Sequence, residues 1–281
     1  MMLVLDHQAV FNQLPERPLN AHKGDFGKLL LLCGSEGFTG AAYLCAMGAL
    51  RTGAGLVYVG VPRSIYSIMA VKLTEAIVFP LPDEDGMLSI QASITIAEKL
   101  QSMDAVVIGP GLGQSVGTRS VTKYILENFS GPVILDADGI NVISQHKDIL
   151  RGRTCPTVLT PHEGEFCRLG GDLTPGRMEG AEAFARAYGV ILLLKGHETV
   201  ITDGRSTYLN KTGNPGMATG GSGDVLAGMI AALIGQGVAP LMASACGAWL
   251  HGKSGDICAQ QIGQYGMLPS DMLQVLPRLL K

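Results

Sequence analysis

The chain has 281 residues with a formal net charge of −3, and 47% of it is hydrophobic against 16% charged. That length can bury a sizeable core, and a slightly acidic chain without a basic stripe argues against nucleic-acid partners. Its six cysteines include no CxxC, which argues against a zinc site, and on apolar segments they read as reduced core thiols.

In chain order, the opening Met-Met-Leu-Val-Leu-Asp lacks the basic start and apolar run of a secretory signal, so a cytoplasmic location is expected. Glycine-bounded apolar runs predict strands over 28–33, 56–60, 76–79, 104–108, 133–135, 157–159 and 190–194. Helical patterns fall between them at 39–52, 90–100, 118–128, 163–169 and 177–188. Such alternation predicts an α/β fold, a mostly parallel sheet with helices on both faces. Segments 199–202 and 206–210, around Asp203-Gly204, predict an antiparallel hairpin. Helices at 224–234 and 240–257 close the fold. Residues 225–250 carry no charge, but Gly235-Gln-Gly237 and Pro240 split them into halves short of the roughly 20 residues that span a bilayer. Two buried helices and no membrane span are predicted. No linker or repeat interrupts the pattern, so residues 1–281 read as one domain.

The strongest chemical signal is Asn214-Pro-Gly-Met-Ala-Thr-Gly-Gly-Ser-Gly-Asp224, which runs into an apolar helix. Gly220, Gly221 and Gly223 let the backbone turn its N–H groups inward, and Thr219 and Ser222 add donors. The helix start contributes unpaired N–H groups and the positive end of its dipole, so the segment predicts a phosphate-binding anion hole. It is not a Walker loop, since no GK[ST] follows. Gly109-Pro-Gly-Leu-Gly113 is not a Rossmann fingerprint. Glu163 and Glu165, in Thr160-Pro-His-Glu-Gly-Glu165, lie where a helix dipole stabilises carboxylates.

Gly221-Ser-Gly-Asp224 resembles the GTGD-type signature of the ribokinase-like superfamily. That resemblance implies a three-layer sandwich in which glycines hold a transferring phosphate and Asp224 takes the proton of the attacked hydroxyl. Residues 160–165 resemble the TPNxxE motif of the vitamin kinases, with His162 in place of asparagine. In the TPHxxE form they resemble the ADP- or ATP-dependent NAD(P)H-hydrate dehydratases. Further matches to that family are Lys23-Gly-Asp-Phe-Gly-Lys28, Gly34-Ser35, Gly37-Phe-Thr-Gly-Ala-Ala42, Arg51-Thr-Gly-Ala-Gly55, Gly109–Gly113, Asp136-Ala-Asp-Gly-Ile-Asn141 and Lys195-Gly-His-Glu-Thr199. Together they cover roughly residues 20–280.

The resemblance implies repair of a nicotinamide cofactor hydrated on its ring, with ADP or ATP supplying phosphate and Mg2+ assisting. Hydroxide leaves poorly near neutral pH, and phosphorylation makes the ring oxygen a good leaving group. By the same resemblance Lys195, Gly196, His197, Glu198 and Thr199, with Gly220, Gly221, Ser222 and Gly223, hold the nucleotide. Ala41, Gly111, Gly113, Asp136, His162 and Asp224 contact the hydrated cofactor, Asp224 is catalytic, Glu165 organises the metal, and a homo-oligomer is expected. The alternative is a vitamin-precursor kinase acting on a hydroxymethylpyrimidine or thiazole alcohol, against which His162 counts. One tension is physical: a helix N-terminus lowers an aspartate's pKa and weakens it as a base, so Asp224 is expected chiefly to orient the hydroxyl.

Overall fold

A computed structural model describes residues 2–280. In chain order its elements are β1 (Met2–Val4), α1 (His7–Phe11), β2 (Lys28–Leu32), α2 (Thr39–Arg51), β3 (Leu56–Pro62), α3 (Arg63–Lys72) and β4 (Ile77–Leu81). A small hairpin of β5 (Asp83–Glu84) and β6 (Met87–Leu88) precedes α4 (Ala92–Leu100), β7 (Ala105–Ile108), α5 (Val116–Asn128), β8 (Val133–Leu135) and α6 (Asp138–Ile143). Then follow β9 (Thr157–Leu159), α7 (Glu163–Arg168), α8 (Arg177–Tyr188), β10 (Ile191–Leu194), β11 (Thr199–Thr202) and β12 (Thr207–Asn210). The described chain closes with α9 (Ser222–Gly235), α10 (Pro240–Ile262) and α11 (Pro269–Leu279).

Ten strands form one sheet in the order β1-β12-β11-β10-β9-β8-β7-β2-β3-β4. Every neighbouring pair is parallel except the two that involve β11, which runs against the rest. Period-two alternation sends successive side chains of β2 to opposite faces. Leu29 and Leu31 pack with α2, α9 and α10, while Leu30 and Leu32 pack with α4 and α5. Three layers result, as expected. Because both faces are covered, the strands read as continuous apolar runs.

The charge-free stretch resolves into α9 and α10. Helix α9 is apolar all round because the sheet, α2 and α10 leave it no wet face. Helix α10 continues to Ile262, five residues beyond the expected end at 257, with Lys253 and Asp256 on its partly exposed side. No described helix is long and apolar enough to cross a membrane. The elements that sequence patterning omitted are short or atypical: β1 has three residues, α3 follows β3 without a break, and α11 carries Pro277 inside it.

Helices α2 and α9 touch backbone to backbone, where a Cβ on Gly228 would stand 2.0 Å from the Cys45 carbonyl oxygen. Gly228→Ala should therefore push the helices apart, at a cost of about 1–3 kcal/mol. At about 2–4 °C per kcal/mol for a chain of this size, thermal melting should show a drop of several degrees. A melting temperature equal to that of the parent would mean that the two helices are not held at this contact.

Candidate active site

The parallel strands β2, β7, β8, β9 and β10 all end on one edge of the sheet, the edge at which open α/β sheets bind ligands. Asp136 leaves β8 and is only 1% exposed. Its Oδ1 accepts from Thr160 Oγ1 at 2.7 Å and from Lys195 Nζ at 2.8 Å. Lys195 lies just beyond β10, with Glu165 Oε2 a further 3.9 Å from its ammonium. Burial opposes the charge on Lys195, but Asp136 and then Glu165 outweigh it and raise the pKa, so the ammonium stays protonated. Glu165 is itself buried in a capping box: its Oε2 accepts from the His162 N–H at 2.9 Å, and His162 Nδ1 accepts from the Glu165 N–H at 3.3 Å.

Above this charge cluster stands the N-terminus of α9. The helix begins at Ser222, two residues earlier than expected, with Gly221 as N-cap in the left-handed region at φ +96°. Asp224 is therefore the third helical residue and not the cap. A Cβ placed on Gly223 would lie 3.3 Å from Lys195 Nζ and 3.8 Å from Asp136 Oδ2, so the glycine turn faces the cluster directly. The expected weakening of Asp224 is overturned: burial, and next the Asp136 charge, push its pKa up to about 6 against the opposing pull of Lys195. The desolvated site favours the proton that the helix dipole alone would remove.

A cleft of about 850 Å³ opens here, within the usual range for small-molecule sites. It is lined by Lys195, Gly196, His197, Glu198 and Thr199 and by Asn210 to Pro215 and Met217, two segments that adjoin where Thr199 pairs with Asn210 across β11 and β12. Thr219, Gly220, Ser222 and Gly223 form its head. Thus the two segments expected to hold one nucleotide face a common space. His162 lines it too, with a half-exposed side chain, on the side of the 195–199 segment. Ala41, Gly111 and Gly113 do not line it. Gly111 sits against Ala41, close enough that a Cβ there would meet the Ala41 Cβ at 2.7 Å, and the Gly113 N–H donates to Asp138 Oδ2 at 2.9 Å. Asp136, expected to contact the hydrated cofactor, does not line this cleft either; its carboxylate is engaged by Thr160 and Lys195. Asn141, within α6, accepts from Arg168 Nε at 3.1 Å.

Two residues escaped the sequence reading. His251, on α10, lines the cleft with its Nε2 3.3 Å from Ser222 Oγ, and burial pushes its pKa down to about 4, leaving a neutral ring. Arg177, at the start of α8, clamps the 195–199 segment. Its guanidinium donates to the carbonyls of His197 and Glu198 through Nη1 and of Leu194 and Lys195 through Nη2. Its Nε lies 2.8 Å from Glu163 Oε1, an ion pair whose N–H is not aligned as a hydrogen bond. Glu163 thereby acquires a role beyond first-turn electrostatics. Glu198 is held at φ +54°, a conformation a non-glycine residue keeps only when its surroundings impose it. Neither partnership has a sequence signature, since the partners lie 17–29 residues apart with no fixed spacing.

Comparison with known proteins bears on this geometry. A family model described as NAD(P)H-hydrate dehydratase matches residues 29–278. The bifunctional NAD(P)H-hydrate repair enzyme of Moorella thermoacetica is 45% identical over 277 residues, covering 96% of this chain and 52% of that protein. The chain thus spans about half the length of the curated relatives it matches. A ribokinase-like superfamily protein of Enterococcus faecalis superposes with a TM-score of 0.87 at 28% identity, over 99% of this chain and 95% of that one. The ADP/ATP-dependent NAD(P)H-hydrate dehydratase of Bacillus subtilis, co-crystallised with ATP and Mg2+, gives 0.82 at 31% identity, over 99% and 97%.

If the Arg177 fork shapes the 195–199 segment, Arg177→Ala should weaken ADP or ATP binding by calorimetry about tenfold or more, since several charge-assisted hydrogen bonds go at once. Arg177→Lys should recover little of it, because a point charge cannot replace a planar fork. Parent-like affinity in both variants would remove the clamp from ligand binding.

Proposed function

The chain belongs to the NAD(P)H-hydrate dehydratase family, and on that premise we propose that it returns hydrated NADH or NADPH to the reduced cofactor with ADP or ATP as phosphate donor. The observation that carries the reading is the α9 N-terminus with Asp224 beside it, turned toward the Lys195–Asp136 pair at the head of a nucleotide-sized cleft. That arrangement serves phosphoryl transfer, in which the protein positions the reactants and stabilises moving negative charge.

In this mechanism the N–H groups at the start of α9 receive the donor's terminal phosphate, and residues 195–199 hold the rest of the nucleotide. The ring hydroxyl attacks phosphorus while Asp224 takes its proton, and the bond to the nucleotide breaks. The lone pair of the ring nitrogen then expels phosphate together with the C–O bonding pair. Loss of a proton from the neighbouring ring carbon restores the reduced nicotinamide. A neutral hydroxyl needs such a base, and a carboxylate with its pKa near 6 accepts the proton better than an unperturbed one. Ala41, Gly111, Gly113 and His162 are proposed to meet the hydrated cofactor. Asp136 and Lys195 act beneath it, setting the charge around Asp224.

Magnesium suits the donors in a limited way. Glu165 offers one nearly buried carboxylate, and no cluster of three or more His, Cys, Asp or Glu side chains converges among the described residues. Mg2+ is commonly held by one or two carboxylates with substrate phosphates and water, so Glu165 would hold it jointly with the nucleotide. The ion's contribution is to neutralise phosphate charge. A cytoplasmic setting, where nicotinamide cofactors and adenine nucleotides meet, and a homo-oligomeric assembly belong to the same proposal.

Incubation of purified protein with hydrated NADH plus ADP or ATP should restore nicotinamide absorbance. A stable phosphorylated alcohol made from a vitamin precursor, with no such restoration, would favour the kinase alternative. Asp224→Asn should keep nucleotide affinity and lower kcat about 10²-fold or more, whereas near-normal turnover would take Asp224 out of the chemistry.

The pH dependence has a definite sign. A base must be deprotonated, so kcat/KM should fall as pH drops through about 6. Lys195→Met removes the cation that opposes the rise, and the acid limb should move to higher pH. A limb that stays put in Lys195→Met would show that Asp224 is not the titrating group.

A further inference from the structure

Helix α10 lines the cleft with Ala248, His251 and Gly252, and it is also hydrogen-bonded to the segment from Asn210 to Asn214. Asn210 Nδ2 donates to the Ala248 carbonyl at 3.1 Å, and Thr212 Oγ1 to the Trp249 carbonyl at 3.0 Å. Two turns further along, the Asp256 carboxylate receives two donors from successive wall residues. Its Oδ2 accepts from the Gly213 N–H and its Oδ1 from Asn214 Nδ2, both at 3.1 Å. Asn214 then caps the next turn, its Oδ1 accepting from the Gly216 N–H at 3.0 Å. Five residues after Gly216 comes Gly221, the N-cap of α9.

These bonds run from α10 to the turn at Pro215–Met217, which leads into the start of α9. Residues 218–220, an exposed lip, hang between α9 and that turn. Helix α9 is enclosed by its buried surroundings, and the lip's other end is held twice: Met217 packs against the cluster of Cys258, Met267, Met272 and Val275, and Asn214 is held by Asp256. The hydrogen bonds of the half-buried Asp256 carboxylate go to Gly213 and Asn214.

We propose that Asp256 is a positioning residue for the nucleotide: through Gly213 and Asn214 it sets the placement of the cleft wall and of the 218–220 lip against the α9 N-terminus. The proposal rests on the reading of this cleft as the nucleotide site. It assigns Asp256 to nucleotide affinity, with the hydrated cofactor left to the other side of the phosphate.

The geometry supplies a discriminating test, because the two side chains can be exchanged. In the double variant Asn214→Asp/Asp256→Asn, the new Asn accepts from the Gly213 N–H and donates to the new Asp, which still accepts from the Gly216 N–H. All three bonds survive. In Asp256→Asn alone, every orientation of the two amides opposes two donors somewhere, and one bond is lost. In Asn214→Asp alone, two carboxylates face each other.

Calorimetric binding of ADP and ATP, KM for each substrate, melting temperature and amide exchange over 213–220 should be measured on the parent, both single variants and the swap. Each single variant should weaken nucleotide binding about tenfold or more, the scale of one lost hydrogen bond to a charged group. Nucleotide KM should rise by a larger factor than kcat falls or than the hydrate's KM changes, and exchange over 213–220 should quicken. The swap should return affinity and exchange to within about twofold of the parent, as for a pair coupled directly to each other. A parent that binds neither nucleotide would overturn the cleft reading and this proposal together. Tight parent binding with parent-like affinity in folded single variants would overturn the proposal alone. So would a swap that melts like the parent yet binds no better than the single variants, or an equal loss for both substrates. If Asp256→Asn fails to fold, the swap decides: recovered folding and affinity support the proposal, and recovered folding without affinity overturns it.

Discussion

Lys195 and Asp136 form an ion pair at 2.8 Å where the ends of the strands meet the cleft. Taking an ammonium and a carboxylate out of water costs several kcal/mol per ion, recovered only when partners are well placed. Here they are, with Thr160 on Asp136 and Glu165 close to Lys195. The pair joins the ends of β8 and β10, and Thr160 draws in the end of β9, so three strands meet at one electrostatic knot. Asp224 lies within range of both charges, and its proton affinity is set by their balance with its burial. Chemistry at the helix start and order at the strand ends thus depend on the same two side chains.

Around that knot, the loops that face solvent are held from behind by charged groups that receive or make several backbone contacts each. Arg177 takes four carbonyls of the 194–198 segment, and Asp256 takes donors from the successive residues Gly213 and Asn214. Both lie on helices packed into the fold, α8 and α10. Loops usually move more than the elements they join. Tying them to helices moves the precision of the scaffold out to the rim, and Glu198 at φ +54° shows how far the backbone there is constrained.

The sheet was largely legible in the sequence because a doubly covered parallel sheet writes itself as apolar runs ending in glycine, and β2, β7, β8, β9 and β10 fall within a residue or two of those runs. The glycine turn at the start of α9 was legible for a related reason: Gly221 and Gly223 serve a local need, and local needs leave local patterns. Pairings across the chain leave none. Arg177 with the carbonyls of residues 194–198, His251 with Ser222, and Asp136 buried under Lys195 became visible only when folding brought distant segments together. The charge state of Asp224 failed for the same cause. The dipole of its own helix can be foreseen from spacing, but the desolvation and the Asp136 field that outweigh it come from other strands.

Helix α9 has no face turned to water, and that has a bearing on how the molecule meets a phosphate. An amphipathic surface helix can rock on its apolar side, whereas this one is enclosed by the sheet, α2 and α10, with its backbone in contact with α2 at Gly228. Its N-terminal amides are therefore already oriented before any anion arrives, and little reorganisation is left for binding to drive. In the proposed phosphoryl transfer, most of the dipolar ordering that solvent would otherwise perform is done when the chain folds, so the stability of the core and the readiness of the α9 N-terminus rise or fall together.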